Sequence, residues 1–114
     1  MALSIERRTV DDVVILNLQG RATIGSDAER LSEALRRELD AGTRKLVVNC
    51  SGLSQIDSSG LAAVVRTFVS VRRNGGVMRL VIPPGHVREV FDVLQLSGTM
   101  SYGTDEASEV SSLQ

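Results

Sequence analysis

Two short runs constrain this chain most. Lys45-Leu46-Val47-Val48-Asn49-Cys50 and residues 77–82, Val-Met-Arg-Leu-Val-Ile, are apolar at consecutive positions, not at alternate ones. A short run of that kind reads as a mostly buried strand, the sort that fills a parallel sheet. Between and after the two runs, apolar residues recur at helical spacing: Leu61, Val64, Val65, Phe68 and Val71, then Val87, Val90, Phe91 and Leu94. Strands that alternate with helices predict an α/β sheet with mainly parallel neighbours and right-handed crossovers.

The remaining elements follow from the same periodicities. Leu3 and Ile5, then Val14, Leu16 and Leu18, alternate as two early strands joined at Asp11-Asp12, with Val13 and Ile15 on the other face of the second. That second strand is expected to end at Gln19-Gly20, before a loop over residues 21–25. Ser26 with Glu29 three residues later reads as a capping box opening a first helix with Ala28, Leu31, Leu35 and Leu39 as its apolar stripe. Gly42 then stops it. Residues 51–55 read as a loop, and a second helix runs from Gly60 to about Asn74, closed by Arg72, Arg73 and Gly75-Gly76. Pro83-Pro84-Gly85 precedes the third helix. Residues 99–102 suggest a last short strand, and Thr104-Asp105-Glu106 the start of a terminal helix, with residues 111–114 frayed. The order is β-β-α-β-α-β-α-β-α, a mixed, mostly parallel sheet of four to five strands with about four helices. The 114 residues suit one domain, 1–114, without linker or repeat.

Most chemistry is excluded by what the chain carries. Thirteen basic residues face fourteen acidic ones, and Phe68, Phe91 and Tyr102 are the only aromatics, so neither charge nor stacking favours nucleic acid. Cys50 is the only cysteine and His86 the only histidine, which precludes an intramolecular disulfide and argues against a zinc site. Gly20-Arg21-Ala22-Thr23-Ile24-Gly25 has phosphate-loop glycine spacing but continues with Ser26-Asp27, where a nucleotide loop needs Lys followed by Ser or Thr. No serine stands in G-x-S-x-G. Glu29, Glu33 and Glu38 read as surface acids with arginine neighbours, and Cys50 as a small core residue. No cofactor, no metal and no enzyme activity are expected. Without a membrane-length span or a signal-like start, the expectation is a cytoplasmic protein that does not insert into membranes.

Asp57-Ser58-Ser59-Gly60 remains. It stands between a strand and an apolar helix, so Asp and Ser there cap the helix. Capping needs one such residue, and the second hydroxyl is surplus. A βα loop at this end of a parallel sheet is also where ligands bind. A serine modified here would gain a charge of roughly −1.5 to −2 that the helix dipole tolerates and a docked partner does not.

Asn49-Cys50-Ser51-Gly52-Leu53-Ser54-Gln55-Ile56-Asp57-Ser58-Ser59-Gly60-Leu61 resembles the signature of STAS domains, the sulfate-transporter and anti-sigma-factor-antagonist domains of bacteria. The resemblance extends over nearly the whole chain, through Gly20, Gly42, Gly75-Gly76 and Leu96. It is to the single-domain anti-sigma factor antagonists. It implies Ser58 as phosphoacceptor, with Ser59 as the alternative, and a partner face of Asp57, Ser58, Ser59, Gly60 and Thr23. It implies two partners: an ATP-dependent serine kinase that is also an anti-sigma factor, and a metal-dependent serine/threonine phosphatase. The antagonist is then the substrate and not the enzyme. Many antagonists carry an acid shortly after the glycine that ends the second strand, and residues 20–24 here have none. A second reading is a non-catalytic accessory subunit of a lipid-transport ABC system, in which the serine region docks and is not modified. An enzyme of unknown type ranks third. Self-association stays open.

Overall fold

The computed structural model describes residues 2–93, 100 and 102–114. The elements are β1 (Ser4–Val10), β2 (Val13–Ala22), α1 (Ser26–Asp40), β3 (Lys45–Ile56), α2 (Ser58–Arg73), β4 (Val77–Val81), α3 (His86–Val93), β5 (Tyr102–Gly103) and α4 (Glu106–Leu113). This is the order expected from the periodicities. The strands form one sheet in the order β1-β2-β3-β4-β5. β1 and β2 are an antiparallel hairpin closed by Asp11-Asp12, with Asp11 left-handed at φ 55°, and every other pairing is parallel.

Alternation along β2, β3 and β4 divides the core into two layers. Leu16, Leu18, Leu46, Val48, Met78 and Leu80 face α1, α2 and α3, meeting Leu31, Leu35, Val64, Phe68 and Phe91. Val13, Ile15, Val47 and Val81 face the other way, where Val110 and Leu113 of α4 cover them. Both faces of the central strands therefore need a helix, which is why their sequence is apolar without interruption.

Several local expectations are corrected. The segment 51–55, expected as a loop, continues β3 to Ile56 beside β2. The register shifts twice, so β3 spends two extra residues against β2. Gly52 lies at the first shift, where a Cβ would stand 2.7 Å from the Leu18 carbonyl oxygen. β2 likewise runs on to Ala22, past Gly20. The Ser26–Glu29 capping box does not form. Gly25, at φ 105°, is the N-cap, no side chain caps the helix, and Ser26 is its first residue. Glu38 is not a surface acid. It is buried, and accepts hydrogen bonds from Arg7 Nε (2.7 Å) and Thr43 Oγ1 (2.8 Å). Burial pushes the Glu38 pKa up, but those two donors and the Arg7 charge outweigh it and hold it below the usual value. Residues 111–114 are not frayed. α4 continues to Leu113, which is buried, and Gln114 Nε2 donates to Asp11 Oδ2 at 2.6 Å. Leu94, Leu96 and Thr99 lie outside the described residues, while Tyr102 falls in the expected last strand.

Candidate functional site

β3 ends and α2 begins at Asp57, and the two oxygens of its carboxylate do different work. Oδ1 accepts from the backbone N–H groups of Ser59 (3.0 Å) and Gly60 (3.3 Å), which caps α2. Oδ2 accepts from the Ile24 N–H at 2.7 Å, which ties the β2–α1 connection to the start of α2. The Asp57 N–H also donates to the Ala22 carbonyl (3.3 Å). Partial desolvation pushes the Asp57 pKa up, but the amides of Ile24, Gly60 and Ser59 prevail and hold it below the usual carboxylate value. The group is thus an anion whose acceptors already point at the backbone.

Gly60 permits the approach. A Cβ at this position would lie 2.4 Å from the Ala22 carbonyl oxygen and 3.1 Å from the Ala22 Cβ. The first turn of α2 therefore rests directly on the end of β2. Ser59 contributes its N–H to the cap and is half-buried, while Ser58 is exposed. Neither serine hydroxyl makes a hydrogen bond to a described residue. The surplus hydroxyl has no structural employment: Asp57 caps, Gly60 allows contact, and Ser58 Oγ faces outward.

Two grooves meet at Ser58. Between α1 and α2 lies one of about 500 Å³, lined by Ile24, Glu29, Ser58, Ser59, Ala62 and Arg66 among others. Between α2 and α3 lies a more apolar one, lined by Ser58, Leu61, His86, Glu89, Val90 and Val93. Ile24 and Val93, one in each groove, are 79% and 78% exposed, more than any other large apolar residue described. Thr23, expected on the partner face, is half-buried, and its carbonyl accepts from Ala28 N–H (3.0 Å). Its neighbour Ile24 presents the side chain instead. Sequence reasoning missed Ile24, Arg66 and the α3 wall. A lone isoleucine before a glycine in a polar loop was the one available signal. Arg66 and Val93 lie at ordinary helix positions that carry none.

The remaining chemical candidates are not gathered here. Cys50 is fully buried, and burial pushes its thiol up to about 12, so it is not a nucleophile. Among the described residues no three His, Cys, Asp or Glu side chains form a metal cluster, and no helix is long and apolar enough to cross a membrane.

Comparison with known proteins shows the family and the fold. The family described as STAS domain matches residues 4–109. BtrV, a proposed anti-sigma factor antagonist of Bordetella bronchiseptica, is 32% identical over 93 residues, covering 82% of this chain and 78% of that protein. The crystal structure of TM1081, a proposed anti-sigma factor antagonist of Thermotoga maritima, superposes with a TM-score of 0.88 at 25% identity, covering 96% of this chain and 93% of the other. The phosphorylated form of the Bacillus cell fate determinant SpoIIAA gives a TM-score of 0.76 at 19% identity, covering 97% and 100%. At that identity it shares the fold.

Proposed function

The chain belongs to the STAS domain family, and from that premise we propose that it is an anti-sigma factor antagonist switched by phosphorylation of Ser58. In its unmodified form it binds an anti-sigma factor that is also a serine kinase, and the sigma factor is released. The kinase then transfers the γ-phosphoryl group of ATP to Ser58. The Ser58 Oγ–phosphorus bond forms, the bond to the departing ADP breaks, and the hydroxyl proton passes to a base of the kinase. A serine/threonine phosphatase restores the hydroxyl by hydrolysis. The chain itself is binding partner and substrate, not catalyst.

One observation carries this reading: Ser58 is exposed and its hydroxyl is unused, while its neighbours do all the work of the helix start. A modified Ser58 therefore costs the fold little. Added charge of roughly −1.5 to −2 is tolerated at a helix N-terminus. Against a docked partner the same charge is desolvated, beside the Asp57 carboxylate, and is repelled. The partner face then comprises Ser58 with exposed Ile24 and Val93 on either side of it, and Thr23, Asp57, Ser59 and Gly60 as its frame.

Affinity capture from the source cell tests this, with wild type and Ser58→Asp as paired baits. A histidine-kinase-like ATPase held by wild type and lost from Ser58→Asp is the expected result. Equal capture by both baits, of transporter subunits in particular, overturns it.

A further inference from the structure

Ser58 stands where two grooves of opposite character meet, and a phosphate there must turn toward one of them. The α2–α3 groove is walled by Leu61, Val90 and Val93, with His86 and Glu89 also lining it. A dianion entering it loses hydration against aliphatic carbon and meets a carboxylate. Asp57 is a carboxylate and has no donor to give, and the backbone amides of Ile24, Ser59 and Gly60 already donate to it. The α1–α2 groove holds one guanidinium, Arg66, and one carboxylate, Glu29. Arg66 is exposed and makes no hydrogen bond or ion pair to a described residue. Several other surface arginines are engaged, Arg7 with Glu38, Arg8 with Glu106, Arg36 and Arg37 with Glu33. Arg44 and Arg73 are as unengaged as Arg66, but of the three only Arg66 lines a groove at Ser58.

The helix geometry sets the reach. Ser58 and Arg66 are eight residues apart on α2, so their Cα atoms are separated by about 12 Å along the axis and by about 80° around it. Helical side chains lean toward the N-terminus, which brings the long Arg66 side chain back toward the serines and over Ala62. An alanine at position 62 leaves that path open. We propose that Arg66 is the internal counter-charge of Ser58 phosphate, drawing it into the α1–α2 groove beside Ile24. A phosphate held there occupies the space above Ile24 that a partner would need. Release is then enforced by occlusion as well as by repulsion. This rests on the phosphoacceptor reading above, but its test does not require the cell to use Ser58.

The test installs phosphoserine at position 58 by genetic encoding and follows its 31P resonance against pH. Wild type is compared with Arg66→Gln and Arg66→Lys, each checked for an unchanged circular dichroism spectrum. The facing titratable groups are Glu29 on α1, Asp57 at the cap of α2, and His86 and Glu89 on α3. All are common to the three proteins. A guanidinium close to the phosphate favours the dianion. The expected result is that wild type titrates several tenths of a pH unit below Arg66→Gln, with Arg66→Lys between them and the difference narrowing in about 1 M salt. Superimposable curves for wild type and Arg66→Gln overturn the proposal. They would leave the capture result of the preceding subsection standing.

Discussion

Replacing Asp57 and Ser58 separately by alanine tests the division of labour in Asp57-Ser58-Ser59-Gly60. Asp57→Ala removes the side-chain cap of α2, the acceptor for the Ser59 and Gly60 amides. Loss of such a cap costs typically about 1 kcal/mol. It also removes the 2.7 Å acceptor for Ile24 N–H, a bond between two segments 33 residues apart. A net hydrogen bond of this kind contributes roughly 1 kcal/mol, and the freed amide lies at the surface, where water replaces part of it. The sum is about 2 kcal/mol, or a melting temperature lower by roughly 8 °C for a chain of this length. Ser58→Ala removes an exposed hydroxyl without a partner among the described residues. Its cost should stay within about 0.5 kcal/mol. Urea unfolding followed by circular dichroism measures both on one scale. If Ser58→Ala lost as much stability as Asp57→Ala, Ser58 would be a structural cap, and the argument that it is free for modification would fail.

Gly60→Ala should destabilise by about 1–3 kcal/mol in the same assay, because the Cβ meets a backbone carbonyl that has nowhere to go; an unchanged or raised midpoint would mean that α2 does not rest on β2 as described. Lowering the pH should remove the Asp57 contribution in a defined window: it is fully present above the unfolded-state value near 3.8 and is lost as pH falls through the lower folded-state value. Wild type should therefore lose stability in that range more steeply than Asp57→Ala, and parallel pH profiles would contradict the assignment. Arg7→Ala should move the NMR titration of Glu38 upward, since burial alone raises it and Arg7 opposes that; an unmoved Glu38 would show that Thr43 suffices. Leu113→Ala should cost about 2–3 kcal/mol as a buried core truncation, whereas a cost near zero would return the chain end to the frayed state.

How far the sequence could be read depended on the range of the interactions involved. The β-β-α-β-α-β-α-β-α order rests on periodicity within each segment, and so does the apolar stripe of α2. Gly42, at φ 78°, terminates α1 as its position implied. Asp57 as cap of α2 was legible for the same reason, because a cap is satisfied by amides two and three residues on. The errors share the opposite cause. Residues 51–55 are polar and glycine-containing and look like a loop; they are a strand because β2 supplies the neighbouring hydrogen bonds. Ser26 and Glu29 have capping-box spacing, yet Gly25 takes the N-cap and the Thr23 carbonyl binds Ala28 N–H. Glu38 is charged and lies on a helix, but it is buried, and Arg7, 31 residues away and itself exposed, reaches in from the surface to pair with it.

By itself, then, the sequence determined the fold class, a capped helix opening at the Asp57-Ser58-Ser59 run and the presence of one hydroxyl beyond what capping requires; it put the first helical residue at Gly60, whereas α2 begins at Ser58 with Asp57 as its cap. Those three are matters of composition and of contacts within a few residues. Only the tertiary structure decided that Asp57 also holds Ile24, that Ser58 rather than Ser59 is the exposed hydroxyl, and that α1 and α3 build a groove on either side of it. Each of these depends on segments distant in the chain coming to the same end of the sheet. Local periodicity does not specify which walls meet, because the packing of helices on a twisted sheet, not the spacing of residues, sets that geometry.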